Sequence, residues 1–322
     1  MASEITIFYA ADLHGSDRCF KKWLNAGSHY GADVSVIGGD LTGKVLVPVY
    51  PAPNGGERWT ATWNGRRVDL ETRSEVEEFT RNIREEGAYA YVTTPDEVQE
   101  IQASIEKERE VFVRLKASAL EEWIRWADER LPGKGVRGLI MPGNDDNREL
   151  DELLESSRSL ENVHGTTVEL APGIFMASYG ESTPTPWNTP REIADEDLGE
   201  RVAEVTADIP DDTVAIWNVH NPPHDTEIDK APKIDEELRV KYDSSGAPIM
   251  VPVGSTSVRR LIEERQPTVA LHGHIHEGRG RYKLGKTVGF NPGSVYSEGT
   301  LQGVLIRVSS KRGVRSYTFT SG

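Results

Sequence analysis

The 322-residue sequence holds a single cysteine, Cys19, which excludes an internal disulfide framework and any metal site built from thiolate clusters, and fits a reducing compartment. It lacks any run approaching the roughly 18 consecutive apolar residues that a membrane span requires. Its first residues, Met-Ala-Ser-Glu-Ile-Thr-Ile-Phe, place no basic segment ahead of an apolar one. The expectation is a cytoplasmic protein that keeps its first residues and has no membrane partner. Basic charge is scarce as well, with 37 Lys and Arg against 52 Asp and Glu and a net charge of −15. Affinity for a phosphate backbone comes largely from counterions released by Lys and Arg, so this balance argues against a non-specific nucleic-acid binder. There is no internal repeat or low-complexity tract, and an apolar fraction of 37% is ordinary for a globular chain of this length.

Several short apolar runs rich in β-branched residues end in polar, glycine-bearing turns, as buried strands of a mixed sheet do. Residues 5–11 run into Asp12-Leu13-His14-Gly15, residues 34–37 into Gly38-Gly39-Asp40, and residues 138–141 into Pro142-Gly143-Asn144-Asp145-Asp146. Farther on, 214–219 lead to His220-Asn221-Pro222-Pro223-His224, 268–271 to His272-Gly273-His274-Ile275-His276, and 287–290 to Asn291-Pro292-Gly293-Ser294. Helix-like stretches at 18–26, 148–157, 195–207 and 257–265 alternate with these runs, and 301–308 with 314–320 read as a closing hairpin. In layered α/β folds ligands gather at the carboxyl ends of strands, which is where the polar residues fall.

The stretch between Asp40 and Asn144 breaks this alternation, being far longer than the dozen or so residues that a crossover needs. A core at 1–43 and 136–322 is therefore expected, with an insertion at 44–135. Within the insertion, 54–70 reads as a hairpin punctuated by Asn54-Gly55-Gly56 and Asn64-Gly65. Residues 74–86 and 95–130 read as helices, the second with an apolar stripe through Ile101, Ile105, Val113, Leu120, Trp123 and Ile124. These helices either pack on the sheet like any others or form a cap over the site.

Six of the eight histidines, at 14, 220, 224, 272, 274 and 276, lie in the strand-end segments. Together with Asp12, Asp40 and Asn144 they supply imidazole, carboxylate and amide-oxygen donors without thiolates. That set suits Mn²⁺, Fe²⁺, Zn²⁺ or Co²⁺ better than Ca²⁺ or Mg²⁺. Residues i and i+2 of an extended segment point the same way, so Asp12 with His14, and His274 with His276, can serve one region. Seven side chains are too many for one tetrahedral ion and suit two ions sharing a bridge, a recurrent arrangement for phosphoryl hydrolysis.

Asp12-x-His14, Gly39-Asp40, Gly143-Asn144, His220 and Gly273-His274-x-His276, in that order, resemble the calcineurin-like metallophosphoesterase family over residues 5 to about 300 apart from the insertion, and Asn291-Pro292-Gly293-Ser294 is similar to its closing turn. The resemblance implies a four-layer αββα sandwich with two mixed β-sheets, here carrying a largely helical insertion. It implies Asp12, His14 and His276 on a first metal, Asn144, His220 and His274 on a second, and Asp40 bridging them. The expected cofactors are two divalent ions, manganese first, with iron, zinc or cobalt as alternatives. A water shared by two such cations would ionise near neutral pH and attack phosphorus in line. The Asn144 amide could donate to a phosphate oxygen.

Most of the family continues Gly-Asn with a histidine that helps protonate the leaving oxygen, whereas this chain has Asp145. An ionised Asp145 would repel a phosphate, so it is protonated, turns away, or leaves that task to a water or to His224. Alternatively, Asp145, Asp146 or Asn147 caps a helix starting near Arg148. His272, out of phase with its neighbours, reads as a supporting or core residue. His224 is either a substrate contact or a surface residue, and Lys44, Arg66 and Arg67 are either phosphate contacts or surface charges. Relatives lacking the histidine look biased towards diesters. The expected function is hydrolysis of a small phosphodiester such as a nucleotide-linked one, with a nuclease, a phosphomonoesterase and a non-catalytic metal-binding scaffold as alternatives.

Overall fold

Alternating burial along the strands decides the layers. In the strand Glu4–Ala10, Ile5, Ile7 and Tyr9 enter one apolar cluster while Phe8 and Ala10 enter another. Arg137–Met141 does the same, with Leu139 and Met141 on one side and Ile140 on the other. The computed structural model describes residues 3–52 and 58–322. In the first six-stranded sheet the order is Gly313–Ser321, Gln302–Ser309, Glu4–Ala10, Val34–Gly38, Arg137–Met141 and Leu160–Asn162, the last four running parallel. A second six-stranded sheet runs Gly280–Leu284, Thr287–Asn291, Val269–Leu271, Val214–Val219, Ile174–Tyr179 and Thr166–Ala171, with its middle four parallel and its edges antiparallel.

One cluster joins the inner faces of both sheets, from Ile7 and Leu139 to Ile216 and Leu271. A second packs the helices Asp17–Tyr30 and Ile105–Arg130 on the outside of the first sheet, and a third packs Asp195–Ala207 and Thr256–Arg265 on the outside of the second. The result is the expected αββα sandwich. No helix among the described residues is long and apolar enough to cross a membrane.

Residues 45–92 form a third sheet of four strands, ordered Arg66–Leu70, Trp59–Trp63, Val45–Pro51 and Ala88–Val92 and backed by the helix Arg73–Glu85. This stretch adds the strands Val45–Pro51 and Ala88–Val92 to the expected hairpin and helix, while over 44–135 helix outweighs strand, as expected. Pro48 and Pro51 argue against a central strand in sequence, but pairing with Trp59–Trp63 is confined to residues 49–51, so Pro48 interrupts no ladder there. The Asn64-Gly65 turn is present, with both residues at positive φ (50° and 71°), as a two-residue hairpin requires. Asn54-Gly55-Gly56 lie outside the described residues.

The expected helix at 95–130 is two, Pro95–Ala103 and Ile105–Arg130, separated at Ser104, whose side chain caps the second. The longer helix packs on the sheet and also borders a cleft. Leu120, Trp123 and Ala127 pack with Phe20 over the first sheet, the Phe20 and Trp123 rings stacked at 4.1 Å, while Phe112, Val113 and Lys116 line a cleft. A small ribbon, Lys230–Pro232 against Met250–Pro252, borders the same cleft.

His164, two residues past the strand Leu160–Asn162, accepts a hydrogen bond from the Gly180 N–H at 3.1 Å, and burial, aided by Arg191, pulls it down to about 4. The unfolded chain takes up this proton first as pH falls below about 6.5, so stability present above that pH is lost between about 6.5 and 4. The urea midpoint should be lower at pH 5 than at pH 7, and the difference should shrink in His164→Gln. Equal pH dependence in both proteins would contradict the assignment.

Candidate metal centre

The parallel strands of both sheets end side by side, and the seven expected ligands stand at those ends. His14 Nε2 is 2.9 Å from His276 Nε2 and 3.6 Å from Asp40 Oδ2. On the other side of Asp40, the same Oδ2 is 3.4 Å from His220 Nε2. Asn144 Oδ1 lies 3.1 Å from His220 Nε2 and 2.7 Å from His274 Nδ1. Asp12 Oδ1 is 3.7 Å from His276 Nε2 and 3.8 Å from His220 Nε2. Asp12 thus stands between His276 and His220, while His14 with His276 lies to one side of Asp40 and Asn144, His220 and His274 lie to the other.

Backbone strain and glycine positions hold this arrangement. Asp12, His14, Asp40 and His274 all adopt positive φ (56°, 43°, 53° and 68°), which non-glycine residues take up only when their surroundings enforce it. The glycines before Asp40, Asn144 and His274 are dictated by contact. A Cβ on Gly39 would meet His220 Nδ1 at 2.2 Å, one on Gly143 would meet Asp40 Oδ1 at 2.2 Å, and one on Gly273 would meet Asp12 Oδ2 at 2.6 Å. The Gly-Asp, Gly-Asn and Gly-His pairs are therefore places where a neighbouring ligand presses on the backbone.

Surrounding residues orient the donors. His220 Nδ1 donates to the Gly38 carbonyl at 2.8 Å, which leaves the Nε2 lone pair for a metal. Asn144 Nδ2 donates to Thr189 Oγ1 at 3.0 Å, turning Oδ1 towards the histidines and leaving one amide hydrogen for a substrate rather than two. Asp146, offered in sequence as a helix cap, instead accepts from the N–H groups of Leu41 and Thr42, the Thr42 hydroxyl and the Gly143 N–H, all at 2.6–2.9 Å, and so ties the Asp40 loop to the Asn144 loop. Neither Asp145 nor Asn147 caps, and the 148–157 helix shrinks to a short turn, Arg148–Leu150, and a single turn, Asp151–Leu154. Arg191, fully buried, donates to the Asp146 carbonyl at 2.7 Å. Nothing in the sequence sets Thr189 or Arg191 apart from ordinary polar residues. In the closing turn, Asn291 Nδ2 donates to the Gly273 and Ile275 carbonyls and Ser294 Oγ to the Asp12 carbonyl, fixing the His-x-His segment.

His272 is a core residue, with Nδ1 2.7 Å from the Val219 carbonyl and Nε2 2.9 Å from the Tyr282 hydroxyl. His224 does not line the cleft; its N–H donates to the Ser255 carbonyl and its own carbonyl accepts from Arg259. Lys44 does line it, with Nζ 2.7 Å from Asp145 Oδ2, and the same carboxylate oxygen is 3.7 Å from His14 Nδ1. Arg66 and Arg67 are exposed on the third sheet, where Arg67 pairs with Asp69.

The donor set fits a pair of divalent ions. Burial, with Lys44 and His220 nearby, pulls His274 and His276 down to about 3, so both present lone pairs at neutral pH. Burial alone would raise Asp40, but His220 and His14 hold it well below the usual carboxylate range. Asp12 is raised by burial and by Asp40, and His220, despite burial, is raised to about 9 by Asp40 and Asp12. Two sealed carboxylates whose main counter-charge is one imidazolium call for a cation. Asp12 Oδ2 and His14 Nδ1 are fully buried without a hydrogen-bond partner.

No family model matches the chain. An uncharacterized protein of Methanocaldococcus jannaschii is 30% identical over 158 residues, 48% of this chain and 62% of that one, so the match spans less than two thirds of the relative. A crystal structure of a Thermus thermophilus protein, TT1561, is similar over 99% of both chains at TM-score 0.50 and 15% identity, and another over 99% of both at TM-score 0.55 and 13% identity. Both likenesses are of fold. The chain resembles the calcineurin-like metallophosphoesterases. The motifs that carry this phosphoesterase resemblance in sequence are the ones that converge in space.

If glycine packing sets ligand positions, Gly143→Ala should weaken metal binding about 10–100-fold, the range for residues supporting a metal ligand, while circular dichroism stays that of a folded chain. Two metal equivalents bound with unchanged affinity, read by calorimetry, would contradict this.

Proposed function

We propose that the protein is a dinuclear metal-dependent phosphoesterase that hydrolyses a small phosphodiester, with manganese the preferred ion and iron, zinc or cobalt able to substitute. The observation that supports it most is the Asp40 carboxylate oxygen lying within 3.6 Å of His14 and 3.4 Å of His220, so that one group faces both ligand sets. Asp12, His14 and His276 would hold one ion and Asn144, His220 and His274 the other. When bound, the two ions supply Lewis acidity for the phosphoryl oxygens and lower the pKa of a water shared between them.

The remaining work falls to the chain. The free amide hydrogen of Asn144 orients a non-bridging oxygen. Lys44, in the cleft beside Asp40 and paired with Asp145, removes the repulsion that an isolated Asp145 would exert, and its ammonium hydrogens reach towards the ester. We assign to this pair the place that a histidine takes in the resembled family, in preference to His224. A diester, whose leaving group needs less protonation, suits an ammonium that stabilises charge better than it surrenders a proton. Residues 44–135 are proposed as an insertion on a core of 1–43 and 136–322 that narrows the cleft over this centre.

Asp40→Asn should lower hydrolysis of bis(p-nitrophenyl) phosphate by at least about 10²-fold, roughly 2.7 kcal/mol of transition-state stabilisation. Undiminished turnover would refute the two-metal reading. Lys44→Met should cost about 10²-fold in kcat, as removal of a transition-state donor does, at unchanged metal content. Loss of metal alongside activity would assign Lys44 to the cage instead. Manganese-loaded protein should cleave the bis-nitrophenyl diester faster than p-nitrophenyl phosphate, and the reverse order would move the assignment to monoesters.

A further inference from the structure

The metal centre forms only one end of its cleft. The space continuous with Asp40, Asn144, His274 and His276 has a volume of about 1510 Å³, larger than the roughly 300–1,000 Å³ of clefts that enclose drug-sized molecules. A phosphate with small alcohol groups would leave most of it filled with water.

Its outer walls come from three segments: the helix Ile105–Arg130 through Phe112 and Val113, the ribbon region 230–253 through Leu238, Val240 and Val253, and the 183–190 loop through Trp187. Several of these apolar side chains are open to solvent, Trp187 at 65% and Leu238 at 47%. Exposed apolar groups gathered around one opening mark a surface that a ligand covers.

Several of the polar groups nearby are already engaged. Thr183 donates through N–H and hydroxyl to Asn221 Oδ1 at 2.8 and 3.0 Å, and the Thr185 and Thr189 hydroxyls both bond Glu192. Arg109 is paired with Glu149 and Lys44 with Asp145. Reading the edge of a nucleobase requires donors and acceptors at fixed positions, and the groups named above are committed to protein partners.

We propose that the ester cleaved here carries a bulky aliphatic alcohol, so that the substrate is a free amphiphilic phosphodiester whose phosphate meets the metal end and whose apolar chain lies between helix, ribbon and loop. This rests on the phosphoesterase reading above. Each methylene buried in such a cleft improves binding roughly fourfold, and methyl and octyl esters should differ by 10²-fold or more.

The test uses full-length, manganese-loaded protein and three esters that release the same nitrophenolate: p-nitrophenyl methyl phosphate, p-nitrophenyl octyl phosphate and the p-nitrophenyl ester of thymidine 5′-phosphate, all below the concentration at which the octyl ester self-associates. The octyl ester should exceed both others in kcat/KM, by about 10²-fold over the methyl ester, and the octyl-to-methyl ratio should fall at least tenfold in a Leu238→Ser, Val240→Ser double variant. Equal rates for octyl and methyl, or preference for the thymidine ester, would overturn the proposal. Calorimetry with octylphosphonate and methylphosphonate reads the cleft without turnover. Octylphosphonate binding much more tightly while no ester is cleaved would retain the apolar cleft and overturn the hydrolase reading. Equal binding of the two phosphonates would overturn the apolar cleft.

Discussion

A carboxylate sealed from water among imidazoles is costly unless its charge is balanced and its oxygens are used, and Asp40, only 1% exposed, is in that position. Its backbone is left-handed, its Oδ1 accepts from the Asp145 N–H at 3.0 Å, and its Oδ2 faces one histidine on either side. Asp146 grips the two residues that follow it, and the absent Cβ of Gly143 leaves room for its side chain. A buried aspartate with a hydrogen-bonded back and an open front is suited to a cation, and the proposed function places one on either side of it.

That placement depends on how the sheets meet. Because parallel strands of both sheets point their carboxyl ends the same way, Asp12, Asp40 and Asn144 from the first sheet reach His220, His274 and His276 from the second across a shared apolar interior. The packing of Ile7, Leu139, Ile216 and Leu271 is thus also what sets distances among donors. The long helix then adds a wall. Trp123 and Leu120 anchor the helix by burial, so that Phe112 and Val113, two to three turns earlier on the same rod, are held at the cleft.

The cage was legible in sequence because each ligand follows a short apolar run and most sit beside a glycine, so period-two burial and turn chemistry both marked them. The αββα layering followed from the same runs. Three things were not legible. Asp145, Asp146 and Asn147 form one polar string, and only tertiary contacts separate Lys44's partner from the tether of the Asp40 loop and from the acceptor for Lys116. Arg191 and Thr189 support Asn144 from a proline-rich loop that has no periodicity. The strand Val45–Pro51 was hidden by its prolines, and the apolar residues at 234–253 belong to an exposed ribbon whose apolar side chains cover no core.

The central claim is that this chain brings two ions to either side of Asp40. Anomalous diffraction from crystals grown with Mn²⁺, recorded above and below the manganese edge, measures that directly. Two peaks about 3.5–4 Å apart, one beside Asp12, His14 and His276 and the other beside Asn144, His220 and His274, are the predicted result. A single peak, or two that do not share Asp40, would contradict it.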